Sequence, residues 1–218
     1  MKKGKLIVLE GIDGSGKSAQ YRRLCARMEK DRIEYNHIVF PRYDQESSAL
    51  IRMYLGGEFG EHPDDVNACT AATFFAVDRF ASYRTDWGKI YNEGGIILSD
   101  RYTTSNAVHQ CSKLPEEQWD TYLDWLFRFE YEQLGIPVPD AVIYLRVDPA
   151  VSQKLMTARY HGDEGKKDIH ESDVEYLCRS RLAAEYCAEK LGWQTVSCTD
   201  GDMMRPVETI HAEILQRI

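Results

Sequence analysis

The segment Gly11–Ser18, with the sequence GIDGSGKS, is the feature that most restricts how this chain can fold. It fits the pattern G-x-x-x-x-G-K-[ST], follows the apolar run Lys5–Leu9 and precedes a stretch of helical periodicity that begins near Lys17. A strand, a glycine-rich turn and a helix in this order predict a loop whose backbone N–H groups surround phosphate oxygens. The sequence therefore predicts an α/β fold with a nucleotide-binding site after its first strand.

The residue types in this loop predict how it holds a nucleotide. We expect Gly11, Gly14 and Gly16 to adopt positive φ, so that successive N–H groups point into one concavity. Lys17 supplies a charge for the β- and γ-phosphates, and Ser18 supplies a hydroxyl for Mg²⁺. The predicted nucleotide-binding residues are Gly11, Asp13, Gly14, Ser15, Gly16, Lys17, Ser18 and Ala19.

Short apolar runs and longer stretches of helical periodicity alternate along the rest of the chain. The predicted strands are Lys5–Leu9, His37–Phe40, Gly95–Leu98, Ala141–Val147 and, more weakly, Gln194–Cys198. The predicted helices include Asp64–Ile90, Glu117–Leu134, Tyr176–Leu191 and Pro206–Ile218. Nearly continuous apolar strands are typical of a sheet covered on both faces. The alternation predicts a three-layer α/β/α fold with a five-stranded parallel sheet, in one domain spanning residues 1–218.

Two polar segments interrupt this alternation. Gly56–Pro63 is rich in glycine and charge and is predicted to be a loop. Arg159–Glu171 contains Gly162 and Gly165 and cannot bury an apolar face. Its composition fits both a solvated connection and a mobile lid over an active site.

The charge balance and the cysteines restrict the partners and the compartment. Acidic residues outnumber basic ones by 35 to 27, so the net charge of −8 argues against binding to duplex nucleic acid or an anionic membrane. The six cysteines are scattered and form no C-x-x-C pair, which favours free thiols in a reducing cytosol over disulfides or a zinc site. We therefore expect a cytoplasmic protein with small-molecule partners.

Three classes of nucleotide-using protein compete at this point: a kinase, a GTP-driven switch and a motor ATPase. No asparagine in the chain is followed by lysine, so the usual Asn-Lys-x-Asp guanine-reading element is missing. A motor usually needs further domains. A kinase needs basic residues for a second, anionic substrate.

Candidates for that second site follow the predicted strands. Asp100 and Arg101 come directly after one strand and Arg42 after another, so both arginines are expected at the carboxyl edge of the sheet, as a clamp for a phosphate monoester. Phe75 and Arg79 are one helical turn apart. They fit either a ring and a guanidinium that bind a nucleobase, or a core phenylalanine with an arginine that points outward.

The motifs together resemble one family, the thymidylate kinases, over nearly the whole chain. The matching segments are E-G-x-D-G-S-G-K-S (Glu10–Ser18), F-P-R-Y (Phe40–Tyr43), F-A-V-D-R (Phe75–Arg79), D-R-Y-T-T-S-N-A (Asp100–Ala107) and K-K-D-I-H-E (Lys166–Glu171). The phosphate loop is widely shared, whereas the D-R-Y-x-x-S and F-x-x-x-R motifs in this order are specific.

The resemblance implies transfer of the ATP γ-phosphoryl group to dTMP, with Mg²⁺ as cofactor, by a homodimer. By this likeness Phe75 stacks on thymine, Arg79 bonds the edge of the base, and Asp13 lies near the 3′-hydroxyl and the metal. The implied substrate-binding residues are Asp13, Arg42, Phe75, Arg79, Arg101, Ser105, Asn106 and His109. The implied metal-binding residues are Asp13, Ser18 and Asp100.

Two positions set this chain apart within the family. Some members carry a catalytic arginine in the phosphate loop where this chain has Gly14, so the resemblance implies that Arg159 supplies the charge from a lid spanning about residues 159–171. The implied catalytic residues are Asp13, Lys17, Arg101 and Arg159. His109 replaces a large aromatic residue that crowds the sugar 2′ position, which predicts either looser rejection of ribonucleotides or simple packing in its place.

Two alternatives to this function stay open at this point. A deoxynucleoside kinase shares the phosphate loop, but it needs a carboxylate base near a neutral sugar hydroxyl and fewer arginines. A nucleotide-binding module without turnover is the other alternative. The pair Arg42 and Arg101 favours a monophosphate acceptor.

Overall fold

A computed structural model describes residues 3–159 and 169–218 of the chain. Its described part contains a five-stranded parallel sheet with the order β2-β3-β1-β4-β5. The strands are β1 (Lys5–Glu10), β2 (Asn36–Val39), β3 (Ile96–Asp100), β4 (Ala141–Arg146) and β5 (Gln194–Ser197). The predicted fold class and all five predicted strands are confirmed, with bounds that differ by one or two residues.

Helices and short turns connect the strands. The α-helices are α1 (Lys17–Lys30), α2 (Ala49–Leu55), α3 (Ala68–Ser82), α4 (Gly88–Asn92), α5 (Thr103–Cys111), α6 (Trp119–Phe127), α7 (Pro149–Arg159), α8 (Ile169–Ser172), α9 (Val174–Lys190) and α10 (Val207–Leu215). Single 3₁₀ turns cover Glu46–Ser48, Pro63–Asp65 and Glu116–Gln118. A small antiparallel pair joins β6 (Thr199–Asp200) to β7 (Met203–Met204).

The continuous apolar sequence of β1 is explained by burial on both of its faces. Ile7 and Leu9 pack on the side covered by α1 and α10, and Leu6 and Val8 pack on the side covered by Trp87 and other aromatic residues. Period-2 alternation of side chains sends neighbouring residues to opposite faces, so a strand between two helical layers needs apolar residues at every position.

The two long predicted helices, Asp64–Ile90 and Glu117–Leu134, are helical over most of their length, the first only from Ala68 onward, and neither is regular throughout. After α3 the chain continues as a π-helical turn at Tyr83–Trp87, and after α6 it continues as another at Arg128–Gln133. A π turn adds one residue to the hydrogen-bonded ring and so rotates the side chains that follow. The second π turn carries Glu130 into the interior.

No helix within the two described ranges is long and apolar enough to cross a membrane.

Candidate functional site

The predicted site residues gather at the carboxyl edge of the sheet. The phosphate loop follows β1, Arg101 follows β3, and Arg42 follows β2. Because these strands are parallel neighbours, their carboxyl ends meet at one edge, where ligands bind in open α/β folds. A hydrogen bond from the Phe40 N–H to the Asp100 carbonyl, at 3.0 Å, ties the last two segments together.

The phosphate loop has two left-handed glycines rather than the three that we predict. Gly14 has φ +73° and Gly16 has φ +79°, in agreement with the prediction. The prediction is wrong for Gly11, which does not have positive φ. Gly11 is instead required by close packing, since a Cβ there would lie 2.7 Å from the Ser15 Oγ. A Cβ at Gly14 would lie 2.6 Å from the Ser152 carbonyl oxygen, so the loop has no room for an arginine at that position.

Helix α1 begins at this loop with its N-terminal donors open to a ligand. Gly16 is its N-cap residue, and no side chain caps the helix. The buried Ser15 hydroxyl has no hydrogen-bond partner in the described part of the chain. Because no side chain caps the helix, its first N–H groups and the positive end of its dipole suit this loop to binding phosphate.

Lys17 lies at the start of α1 against the end of β3. Its Nζ is 2.5 Å from Oδ1 of Asp100, and both side chains are more than nine-tenths buried. Burial lowers the pKa of Lys17, and the nearby Arg101 charge lowers it further, whereas Asp100 opposes both effects. The structure therefore places this lysine of the phosphate loop beside Asp100 and close to the charge of Arg101.

Arg101 links the phosphate loop to helix α5, on the predicted acceptor side. Its Nη2 lies 2.5 Å from Oδ1 of Asp13, and its Nη1 lies 3.6 Å from Oε1 of Glu10. Burial raises the pKa of the Asp13 carboxyl, but Arg101, with help from His109 and Lys17, lowers it to about 2. Asp13 is therefore a carboxylate at neutral pH.

The backbone of Arg101 is strained. Its φ is +66°, in the left-handed region. Residues other than glycine adopt this region only at a cost of about 1–2 kcal/mol. Its N–H bonds to the Leu9 carbonyl at 3.0 Å, and its carbonyl accepts from the Ser99 hydroxyl at 2.5 Å. These bonds hold the guanidinium over the phosphate loop in a conformation that the free chain rarely adopts.

Glu10 is a site residue to which the sequence analysis assigned no role. It is buried, and its Oε2 accepts from the Thr104 hydroxyl at 2.6 Å and the Ser105 hydroxyl at 2.8 Å. Its Oε1 accepts from the Gly11 N–H at 2.9 Å. Glu10 thus fastens the start of α5 to the start of the phosphate loop.

Arg42 is held among carboxylates on the acceptor side. Its Nε lies 3.2 Å from Oδ1 of the buried Asp78, and its Nη2 lies 3.0 Å from the Ser47 hydroxyl. Its Nη1 is ion-paired with Asp86, a carboxylate that is 48% exposed. Neither aspartate is predicted as a site residue from the sequence, although Asp78 lies inside the F-A-V-D-R segment.

Arg79 points into the protein, so the alternative of an outward-pointing arginine is wrong. The residue is 2% exposed, and its guanidinium forms a two-pronged ion pair with Glu130. One helical turn earlier, Phe75 is half-buried with its ring edge-on to Tyr54, the ring centroids being 6.3 Å apart. Glu130 lies 51 residues further along the chain and had no signal in the sequence.

The two neighbours Ser105 and Asn106 lie on different sides of α5. The Ser105 hydroxyl is beside Glu10 and is 3.3 Å from Nη1 of Arg101. The Asn106 amide instead donates to the Ala72 carbonyl at 3.0 Å and to Glu130 at 2.9 Å. The structure therefore brings Asn106, but not Ser105, to Arg79.

Gln110 is a further candidate that the sequence analysis did not single out. It lies one turn after Asn106 on α5 and is 1% exposed. Neither its amide nitrogen nor its amide oxygen has a hydrogen-bond partner among the described residues. Because an unpaired buried amide is costly, this side chain is suited to a polar ligand.

His109 lies between Arg101 and the helices that follow the predicted lid. Its Nε2 is 3.3 Å from Nη1 of Arg101, and its Nδ1 is 3.3 Å from the Tyr176 hydroxyl. Its ring is nearly parallel to that of His170, with centroids 5.6 Å apart. Burial, reinforced by the Arg101 charge, lowers the pKa of His109 to about 3, so the ring is neutral.

The predicted lid mostly falls outside the described residues. Positions 160–168, which include Lys166, Lys167 and Asp168, lie outside them, as do the side chains of Arg159 and Glu171. On the far side of this segment Ile169 packs against the same apolar cluster as Phe75, and Nε2 of His170 lies 2.8 Å from the Tyr54 hydroxyl. The chain that follows the predicted lid therefore touches the predicted acceptor site.

The fold and this site define a class. A glycine-rich loop between β1 and α1, with Arg101 beside it at the carboxyl edge of a parallel sheet, is the arrangement of a P-loop phosphotransferase.

Comparison with known proteins gives the family. The family described as thymidylate kinase matches residues 9–214 of the chain. The thymidylate kinase of Mycobacterium tuberculosis (strain CDC 1551 / Oshkosh) is 33% identical over 191 residues, which cover 86% of this chain and 87% of that protein. The thymidylate kinase of Caenorhabditis elegans is 28% identical over 211 residues, covering 93% and 86%. The chain belongs to the thymidylate kinase family.

A solved structure shares the fold. The structure of the Candida albicans thymidylate kinase superimposes with a TM-score of 0.70 at 18% sequence identity, covering 98% of this chain and 90% of that one.

Proposed function

We propose that this protein transfers the γ-phosphoryl group of ATP to dTMP, giving ADP and dTDP, within one catalytic domain. Family membership supports this reaction. The structural observation that carries it is the position of Arg101, whose guanidinium lies between Asp13 of the phosphate loop and the acceptor helix α5. One charge at the boundary between two sites is suited to a group that moves from one to the other.

The reaction requires positioning and charge neutralisation more than proton transfer. The dTMP phosphate oxygen is already an anionic nucleophile, so no strong general base is needed. Lys17 and the N-terminal N–H groups of α1 hold the donor phosphates, and Arg42 and Arg101 hold the acceptor phosphate in line with them. Arg159 is proposed to add a further charge from the lid.

The base of dTMP is proposed to lie between α3 and α5. Phe75 offers a half-buried ring for stacking, while Arg79, Asn106 and Gln110 offer polar groups at the edge of the base. His109 lies beside Arg101, where the resemblance places the sugar 2′ position, and its neutral ring is held by Tyr176.

The residues at the loop fit Mg²⁺. This ion binds proteins through one or two carboxylates and keeps its other positions for water and substrate phosphates. Asp13 is ionised at neutral pH, Asp100 lies beside Lys17, and Ser18 is exposed in the first turn of α1. We propose that these three residues hold Mg²⁺, which neutralises phosphate charge when it is bound.

The assembly and location proposed for the protein rest on its surface and its thiols. Helix α3 exposes Val77 and Phe80, which are 46% and 37% exposed, and this apolar surface supports a homodimer. Six free cysteines support a cytoplasmic location. The net charge of −8 supports small-molecule partners over nucleic acid.

The proposal is tested by coupled measurement of ADP release with dTMP, dUMP, dGMP, dCMP and thymidine as acceptors. We expect turnover with dTMP, weaker turnover with dUMP and none with thymidine. Lys17→Ala should lower kcat about 100- to 1,000-fold with an unchanged circular dichroism spectrum. Lys30→Ala, an exposed lysine at the other end of α1, is the matched control. Turnover of thymidine but not of dTMP would contradict the acceptor clamp.

A further inference from the structure

Glu130 is the centre of a buried polar cluster between α3, α5 and the π turn at Arg128–Gln133. The residue is fully buried, as is nearly all of Arg79. Its Oε2 accepts from Nε of Arg79 at 2.7 Å and from the Thr103 hydroxyl at 2.7 Å. Its Oε1 accepts from Nη2 of Arg79 at 2.6 Å and from Nδ2 of Asn106 at 2.9 Å. Each oxygen thus receives two donors, which accounts for the four lone-pair sites of a carboxylate.

The two-pronged pair fixes the plane of the Arg79 guanidinium. Its Nε and Nη2 edge is turned to Glu130, and Nη1 lies 3.4 Å from the Tyr102 carbonyl. A guanidinium has five donors in a rigid fork, so binding one edge sets the direction of the others. One N–H on Nη1 and one on Nη2 remain for a ligand.

The same carboxylate fixes which end of the Asn106 amide faces the ligand. A carboxylate and the Ala72 carbonyl can only accept hydrogen bonds, so the amide nitrogen must face them. The amide oxygen is therefore turned away from Glu130. By binding both side chains, Glu130 thus sets the direction of the remaining Arg79 N–H groups and turns the neighbouring Asn106 amide so that its oxygen can accept.

A hydrogen-bond donor beside an acceptor distinguishes thymine from cytosine. Thymine presents a carbonyl oxygen next to an imide N–H, which matches a donor beside an acceptor. Cytosine presents an amino group next to an acceptor nitrogen, which places donor against donor and acceptor against acceptor. A site built to hydrogen-bond one pattern rejects the reverse pattern because its buried groups are left unpaired.

The ion pair also removes net charge from the base pocket. An unpaired guanidinium buried beside the acceptor site would attract phosphate groups. Paired with Glu130, Arg79 offers directed N–H groups without excess charge, which suits a neutral base.

We propose that Glu130 is a positioning residue for base recognition, fixing Arg79 as donor and Asn106 as acceptor so that the pocket selects thymine over cytosine. This inference rests on the proposed function, since it assumes that the base of the acceptor lies at Arg79. Glu130 touches no substrate and acts through its two partners.

The test compares Glu130→Gln with Glu132→Gln, an exposed neighbour on the same π turn. For Glu130→Gln we expect the dTMP-over-dCMP ratio of kcat/KM to fall at least roughly 10-fold, mainly through a higher KM for dTMP. The KM for ATP should stay within twofold of that of the unaltered protein. The circular dichroism spectrum should be unchanged. Glu132→Gln should change none of these values.

A second variant keeps the inference testable if Glu130→Gln does not fold. Glu130→Asp keeps the charge beside Arg79 but shortens the side chain, so a smaller fall in the same ratio is expected. An unchanged dTMP-over-dCMP ratio in either folded variant overturns the inference, and so does an equal rise in the KM values for dTMP and ATP. If the unaltered protein does not turn over dTMP at all, the proposed function fails instead.

Discussion

The proposed acceptor site holds arginines in two different ways. On the side proposed for the base, Arg79 is buried in an ion pair with Glu130, and the two side chains are 2% and 0% exposed. On the phosphate side, Arg42 and Arg101 are 15% and 14% exposed, and their partners include Asp86 and Asp13, at 48% and 24%.

The difference shows that one residue type serves two purposes. A buried, fully paired guanidinium is a fixed set of donors, because moving it would leave a charge unpaired in the interior. Arg42 and Arg101 are each shared between a buried carboxylate and a more exposed one, and the exposed partner can be exchanged for another anion at little cost. The first arrangement is suited to reading a neutral base and the second to taking up and releasing a phosphate.

The largest expected effect tests this contrast through stability. Arg79→Ala leaves the Glu130 carboxylate buried without its ion-pair partner, and we expect it to lower the free energy of unfolding by about 3–5 kcal/mol. Arg42→Ala should lower it by only about 1 kcal/mol, because Asp78 keeps the Ser47 hydroxyl, 2.6 Å away, as a donor. Urea unfolding of the two variants measures both values, and equal losses would remove the distinction.

A second effect concerns the titratable ring on the phosphate side. The pKa of His109 is lowered to about 3 in the folded protein from an ordinary value of 6.5. Between these values the unfolded chain binds a proton that the folded protein does not, so stability falls as the pH decreases. From pH 7 to pH 5 this single histidine lowers the free energy of unfolding by about 2 kcal/mol.

The His109→Gln variant isolates this contribution. Glutamine keeps polar atoms for Arg101 and Tyr176 but does not titrate, so the variant should lose about 2 kcal/mol less than the unaltered protein between pH 7 and pH 5. Urea unfolding at the two pH values is the measurement. Parallel losses in both proteins would mean that His109 is protonated in the folded state.

The smallest expected effect asks whether Asp86 competes with the substrate. Its exposed carboxylate pairs with Nη1 of Arg42, so Asp86→Asn should free that atom and lower the KM for dTMP by about two- to threefold. Asp31→Asn, which breaks an exposed pair with Arg27 on α1, is the control. A higher KM for dTMP would mean that Asp86 orients Arg42, as we propose that Glu130 orients Arg79. The contrast between a fixed and an exchangeable arginine would then be wrong.

Local patterns in the sequence predict much of the fold. At the candidate site they predict the arginines but not the carboxylates with which those arginines pair. The strands, the phosphate loop and the arginines Arg42, Arg79 and Arg101 follow from short motifs whose meaning depends on neighbouring residues. The carboxylates that hold these arginines do not, because Glu130 and Arg79 are 51 residues apart and meet only after folding. Asp78 was quoted in a motif, but its acid group could as well have been a solvated surface charge.

Backbone geometry was the other feature that the sequence could not supply. The glycines of the phosphate loop suggested positive φ at three positions, yet close packing and not conformation explains Gly11. The π turn that carries Glu130 inward looks in the sequence like an ordinary continuation of α6. Both outcomes depend on tertiary packing, which overrides local preference.

The left-handed backbone of Arg101 has a consequence for how this position evolves and how it responds to engineering. Glycine adopts φ +66° without strain, so Arg101→Gly would relieve the backbone while removing the charge next to Asp13. That relief is opposed by the carboxylates of Glu10 and Asp13, which would lose the guanidinium they are paired with. The strained backbone and the ion pairs at this position are therefore coupled, and a substitution cannot remove the strain without also breaking the pairs.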